Sequence, residues 1–282
     1  MLIKHFTYIL LFLSASLFTV TSQAADVTAQ QIGNYKTYSI KIVGEIQHGD
    51  YDQLIKLIKS KSRFPFYITI KSKGGSVSEA IKISKFVNEA LIPVNALDYC
   101  YSSCFYIWIA SIERNVFFYG MNTASDSEIM ESRVIGLHRP YYDKAYFSTL
   151  SMKEAQAKQG EIETEVRNYL KSLNVHEKWI DEMMMHSSSD IRLVSRKELE
   201  QEFGFTSHAF EEWLIAKCPI DEHDLIFGKA ELIMRATSSD DSKVKINIEQ
   251  RNKALNEYKK YSKCKDTAIR ESQAAILNSI LQ

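Results

Sequence analysis

Ile70-Lys-Ser-Lys-Gly-Gly-Ser-Val-Ser-Glu-Ala80 decides the reading of the chain, because the spacing of its apolar residues changes in the middle. On its N-terminal side, after Pro65, Phe66-Tyr-Ile-Thr-Ile-Lys71 reads as a strand. On its C-terminal side Ala80, Ile81, Ile83, Phe86 and Val87 recur at helical spacing. Gly74 and Gly75 join the two, and glycine admits backbone angles that other residues avoid. Such a turn leaves N–H groups free to meet an anion or a developing oxyanion, although the same dipeptide also serves as a plain tight turn.

The alternation continues on both sides. Upstream, Tyr38-Ser-Ile-Lys-Ile-Val43 alternates apolar and polar residues like a half-buried strand, and Gly44 with His48-Gly-Asp50 supplies a turn. A helix follows, with Tyr51, Leu54, Ile55, Leu57 and Ile58 on one face and Asp50 as its expected cap. Downstream, residues 92–97 read as a strand, Cys100-Tyr-Ser-Ser-Cys104 as a turn and residues 105–110 as a buried helix. Residues 115–118 and 132–137 read as short strands, residues 152–173 and 176–185 as helices. Strands alternating with helices predict an α/β domain with parallel strands.

At 282 residues and 45% hydrophobic the chain can bury a sizeable core, and 35 Lys+Arg against 35 Asp+Glu give no basic excess to hold nucleic acid. Residues 1–24 have a charged start at Lys4, an apolar middle and the small-x-small ending Ser22-Gln-Ala24, the pattern of a signal peptide cut after Ala24. The expectation is therefore a periplasmic or secreted protein. Residues 25–36 read as a linker, 37–218 as the domain, and 219–282 as a helical appendage with a Thr237-Ser-Ser-Asp-Asp-Ser242 linker and a long helix at 248–281. Leu225-Ile-Phe227 and Leu232-Ile-Met234 are expected to pack on the domain.

Export allows disulfides, and four cysteines permit three pairings; proximity favours Cys100 with Cys104 and Cys218 with Cys264. None has Cys-x-x-Cys spacing and no histidine stands beside them at ligand spacing, so no metal site is expected.

Three further features sit at strand ends. Tyr101-Ser-Ser-Cys104 opens a helix, where a serine is either a cap or a hydroxyl at the positive helix end. Gly136-Leu-His-Arg-Pro140 ends a strand on His138, a position that suits a packed histidine as well as a base. Asp190, within Ser187-Ser-Ser-Asp-Ile-Arg-Leu-Val-Ser195, is by itself an ordinary loop residue.

Taken in order, Val43-Gly-Glu-Ile46, the 70–80 stretch, Ser102-Ser-Cys-Phe-Tyr-Ile-Trp-Ile-Ala-Ser111, Arg133-Val-Ile-Gly-Leu-His-Arg-Pro140 and Asp190-Ile-Arg-Leu-Val-Ser195 with Glu202-Phe-Gly204 resemble the Clp protease proteolytic subunit and the wider ClpP/crotonase fold, across about residues 37–207. Ala155-Gln-Ala-Lys-Gln-Gly-Glu-Ile162 is similar to that family's handle region. The resemblance implies a ββα spiral, with Ser102 as nucleophile, His138 as general base and Asp190 orienting the imidazole. Ser103 is the alternative nucleophile. It implies an oxyanion hole from the N–H groups of Gly75 and Ser103, no cofactor, a peptide or unfolded-protein substrate, and a homo-oligomer joined through the handle. Outside the cytoplasm no unfoldase ATPase is expected as partner. The departures are Ser103-Cys104 after the nucleophile, extra residues at 121–131, and an Asp190 loop one residue longer than usual. They leave open a catalytically inactive scaffold that kept the fold. Acyl-CoA chemistry and a Ser-Lys dyad are the weaker alternatives.

Overall fold

A computed structural model describes residues 24–33, 37–219 and 248–282. The expected leader, apart from Ala24, lies outside the described residues, as do the 237–242 linker and the apolar segments at 225–227 and 232–234.

The N-terminal half is built from strand-helix units: β1 (Asp26–Gln31), β2 (Tyr38–Val43), α1 (Asp50–Lys61), β3 (Ile68–Ser72), α2 (Val77–Glu89), β4 (Val94–Tyr101), α3 (Cys104–Ile109) and β5 (Arg114–Phe117). The patterns quoted above produce these elements. Ile40, Ile42, Ile68 and Ile70 point from β2 and β3 into the core, and α1 answers with Leu54 and Ile58. α2 buries Ala80, Ile81, Ile83, Phe86 and Val87, and every side chain of α3 is buried. Each fully buried large apolar side chain contributes about 1.5–3 kcal/mol, so this layer carries the domain.

β2, β3 and β4 pair in parallel, and β1 closes one edge antiparallel to β2. β4 then changes partner along its length. Its first half, Val94 to Leu97, pairs with β5, while Cys100 and Tyr101 pair with β6 (Ile135–Leu137). Between them Asp98 has φ 60° and the register against β3 shifts between Ile70 and Ser72. The left-handed backbone at Asp98 is supported by its carboxylate, which accepts from Lys71 Nζ at 2.7 Å and the Tyr119 N–H at 2.8 Å. The exchange of partners brings β6, and with it Gly136, beside the end of β4 where Ser102 begins.

The rest of the described chain comprises α4 (Asp126–Glu131), α5 (Lys144–Ser148), α6 (Met152–Ser172), α7 (Glu177–Met185), β7 (Arg192–Val194), α8 (Arg196–Glu202), α9 (His208–Lys217) and α10 (Ile248–Leu281). β7 pairs antiparallel with β6. α6, the expected handle, starts at a capping box between Ser151 and Glu154. α10 is fastened to the domain: Gln273 Nε2 donates to the Ala90 carbonyl at 2.8 Å, Lys265 pairs with Glu113, and Ala268 is buried. Among the described residues no helix is long and apolar enough to cross a membrane.

Four local expectations change. Part of the supposed 25–36 linker is β1, a strand with one buried side chain, Val27, whose polar remainder hides it from any apolar pattern. Asp50 is not the cap of α1; Gly49 takes that place with φ 100°, and the Asp50 carboxylate turns back to accept from the Gln47 N–H at 2.8 Å. β4 runs on through Tyr101, so the turn shrinks to Ser102 and Ser103. β7 and α8 replace a loop after Asp190, with Ser195 and Glu198 forming the capping box of α8.

Candidate active site

Ser102 is the first residue after β4 and has φ 56°, a left-handed conformation unusual for a residue with a side chain. The turn holds it from both sides. Its N–H donates to the Gly136 carbonyl of β6 at 2.9 Å, and its own carbonyl accepts from Phe105 of α3 at 3.0 Å. A serine on a strained turn between strand and helix lifts its hydroxyl out of the backbone surface, as in a nucleophile elbow. Ser102 is partly exposed, whereas Ser103 is fully buried and its hydroxyl donates to the Gly75 carbonyl at 3.2 Å.

The Gly74-Gly75 turn lies against this serine. A Cβ on Gly74 would stand 2.6 Å from the Ser102 Cβ and 3.0 Å from its Oγ, and one on Gly75 would stand 2.1 Å from the Ile46 carbonyl oxygen. Both glycines have positive φ, 100° and 141°. The turn is laced to the strand-like segment at Ile46: the Ile46 N–H donates to Gly74 at 2.8 Å and the Ser76 N–H donates to Ile46 at 2.7 Å. Neither polar group of Gly75 bonds to Ile46, and the Gly75 carbonyl accepts from the Ser103 hydroxyl. Among the described residues the N–H groups of Gly75 and Ser103 have no protein acceptor.

His138 follows Gly136 by two residues at the end of β6, beside the Ser102 turn. Only 4% of it is exposed, and its Nδ1 lies 2.8 Å from the Arg139 carbonyl oxygen. A carbonyl can only accept, so Nδ1 carries the proton and Nε2 keeps its lone pair. Burial holds the imidazole pKa below the usual histidine value, opposed by the bond to Arg139. Burial therefore favours the neutral ring. The Tyr141 ring lies 5.5 Å from it, and Tyr99 and Tyr101 pack together at 5.7 Å.

Asp190 stands apart from His138. Its side chain is 74% exposed, and its carboxylate pairs with His186 Nδ1 at 3.0 Å. The link to His138 runs through the backbone, because the Arg139 N–H donates to the His186 carbonyl at 2.9 Å. His186 was not singled out in the sequence. Its signal was the four-residue spacing to Asp190, which any exposed loop can show.

Cys100 and Cys104 stand at disulfide distance, with Cα atoms 5.2 Å apart, and bracket Ser102. Cys218 and Cys264 do the same between the end of α9 and α10, at 5.8 Å. These are the two pairings that proximity favoured.

No family model matches the chain, and no curated protein matches it. Solved structures similar to it include a substituted ClpP1 from Listeria monocytogenes, at 17% identity over 60% of this chain and 88% of that one, with a TM-score of 0.38. A serine variant of the 1510-N membrane-bound stomatin-specific protease is 18% identical over 64% of this chain and 84% of that one, with a TM-score of 0.38. An enoyl-CoA hydratase from Thermoplasma volcanium is 11% identical over 88% and 96%, with a TM-score of 0.34.

Proposed function

We propose that the protein is an exported serine peptidase of the ClpP-like fold that hydrolyses peptide bonds in peptides or unfolded chains without a cofactor. The observation that carries this reading is the division of labour at the turn: Ser102 is reachable and held at φ 56°, while the neighbouring Ser103 is buried with its hydroxyl given to Gly75.

In the proposed mechanism the substrate lies extended beside Gly74 and Gly75. Nε2 of His138 takes the hydroxyl proton as Ser102 Oγ attacks the carbonyl carbon. The N–H groups of Gly75 and Ser103 receive the oxyanion, a contribution worth about 100- to 1,000-fold in rate per donor. The imidazolium then gives its proton to the departing amine, and water, activated by the same ring, releases the acyl group. Burial of His138 favours the neutral form that this first step requires. Asp190, expected to orient the imidazole, acts in this reading through the His186 link, while the Arg139 carbonyl fixes the tautomer directly. A homo-oligomer joined through α6, with no unfoldase ATPase, completes the proposal.

The test is fluorophosphonate labelling of the purified protein. Labelling is expected in wild type and in Ser103→Ala, and is expected to be lost in Ser102→Ala and His138→Ala. Folded wild type that takes no label would favour the inactive-scaffold reading.

A further inference from the structure

Asp50 is fully buried, yet among the described residues no cation pairs with it. Its carboxylate is held by the N–H groups of Gln47, at 2.8 Å, and Ala25, with Gln53 Nε2 at 3.4 Å. The neighbouring charge makes matters worse. Glu79 of α2 faces the same loop, and its carboxylate is already engaged by the N–H groups of Gly49 and Tyr51 and by Lys82, with His48 at 3.7 Å. An ionised carboxylate with no counter-charge is an expensive thing to bury. Burial accordingly raises the Asp50 pKa, and the Gln47 and Ala25 N–H groups pull against it.

The donor from Ala25 has special meaning, because Ala25 is the first residue after the expected cleavage point at Ala24. It is 3% exposed, and Ala24 bridges to Glu45 alongside it. Gly44 makes room: a Cβ there would stand 3.3 Å from the Ala25 Cα.

We propose that Asp50 is the binding site for the chain's own processed amino terminus. Water adds across the Ala24–Ala25 peptide bond, Ala24 leaves with the leader as a carboxylate, and the freed amine of Ala25 takes up a proton. The resulting ammonium stays where the N–H stood and pairs with Asp50. Since Ala25 is buried, cleavage precedes the closing of this edge. The pair also bears on the proposed active site. Asp50 holds Gln47, and the adjacent Ile46 holds Gly74 and Ser76 on either side of the oxyanion donor at Gly75. Processing would thereby complete the support of the turn. This inference rests on the export reading and not on the peptidase reading.

The experiment uses protein exported with its own leader. Intact mass and N-terminal sequencing are expected to give Ala25. Competitive acetylation near pH 8 is then expected to modify the Ala25 amine roughly 10- to 100-fold more slowly in the folded protein than in urea, because an opposite charge raises an amine pKa by about one to two units. Asp50→Asn is expected to remove most of that protection. A form with one extra residue before Ala25 keeps Asp50 but displaces the ammonium, and is expected to unfold at lower urea. An Ala25 amine as reactive folded as unfolded would overturn the pairing while leaving export intact. A mature N-terminus other than Ala25 would overturn the pairing, an uncleaved leader would overturn the export reading with it, and neither outcome touches fluorophosphonate labelling.

Discussion

The Ser103 hydroxyl donates to the Gly75 carbonyl at 3.2 Å, so the two residues whose N–H groups are expected to receive an oxyanion are tied to each other where the chain leaves β3 and β4. The bond uses the carbonyl of Gly75 and the side chain of Ser103 and leaves both N–H groups available. It braces the Gly75 turn against the start of α3.

Gly74 and Gly75 are expected to tolerate no side chain, for different reasons. Gly74→Ala pushes a Cβ against Ser102, 2.6 Å from its Cβ, and displaces the proposed nucleophile; fluorophosphonate labelling should fall by about 100-fold or more with the fold retained. Gly75→Ala meets the Ile46 carbonyl at 2.1 Å and forces the turn off its support, and should cost about 1–3 kcal/mol in urea denaturation. Equal labelling of Gly74→Ala and wild type would separate the turn from the reaction.

The pH dependence follows from His138. Its pKa is held below the ordinary value by burial, so the folded protein binds fewer protons there than the unfolded chain does. This contribution to stability is present above about pH 6.5 and is lost as pH falls through the folded-state value. The labelling rate is expected to rise with pH over the same window as the neutral ring is restored. His138→Gln should abolish that rise, and a rate independent of pH between about 5 and 7 would argue against His138 as the base.

Asp190→Asn is expected to slow labelling by less than about tenfold, because its carboxylate is exposed and paired with His186 while the Arg139 carbonyl fixes the His138 tautomer. Loss of a carboxylate bonded directly to the base typically costs about 10,000-fold. A loss of that size, measured side by side with His186→Ala, would show that Asp190 reaches His138 during the reaction.

The two cysteine pairs should separate in their effects. Cys218 and Cys264 are 46 residues apart, and closing a loop of that size constrains the unfolded chain by about 4 kcal/mol, so Cys218→Ser with Cys264→Ser should lower the urea midpoint markedly while leaving labelling nearly intact. Cys100 and Cys104 close a loop four residues apart around Ser102. Their replacement should cost less stability, about 2 kcal/mol, but lower labelling by freeing the turn. The same order of effects for the two pairs would remove the Cys100–Cys104 bridge from the site.

Much of this architecture was legible in the sequence because it rests on local pattern. The isoleucines of β2 and β3 alternate and the apolar residues of α1 and α2 recur every three or four positions, since each element must bury one face. The Gly-Gly turn was legible too, since a positive φ excludes most other residues. What stayed hidden depends on neighbours distant in the chain. β1 exists because β2 offers an unpaired edge, and Asp-Val-Thr-Ala-Gln-Gln says little of that. Asp50 reads as a helix cap, yet its carboxylate is taken by Gln47 and Ala25. Ser102 and Ser103 are identical neighbours on paper. The sequence could place a serine after β4 and a histidine after β6, but only the packing of Gly74, Gly75 and Gly136 around that turn decided which hydroxyl faces outward and which is buried, because φ and burial belong to the assembled sheet and not to the residue.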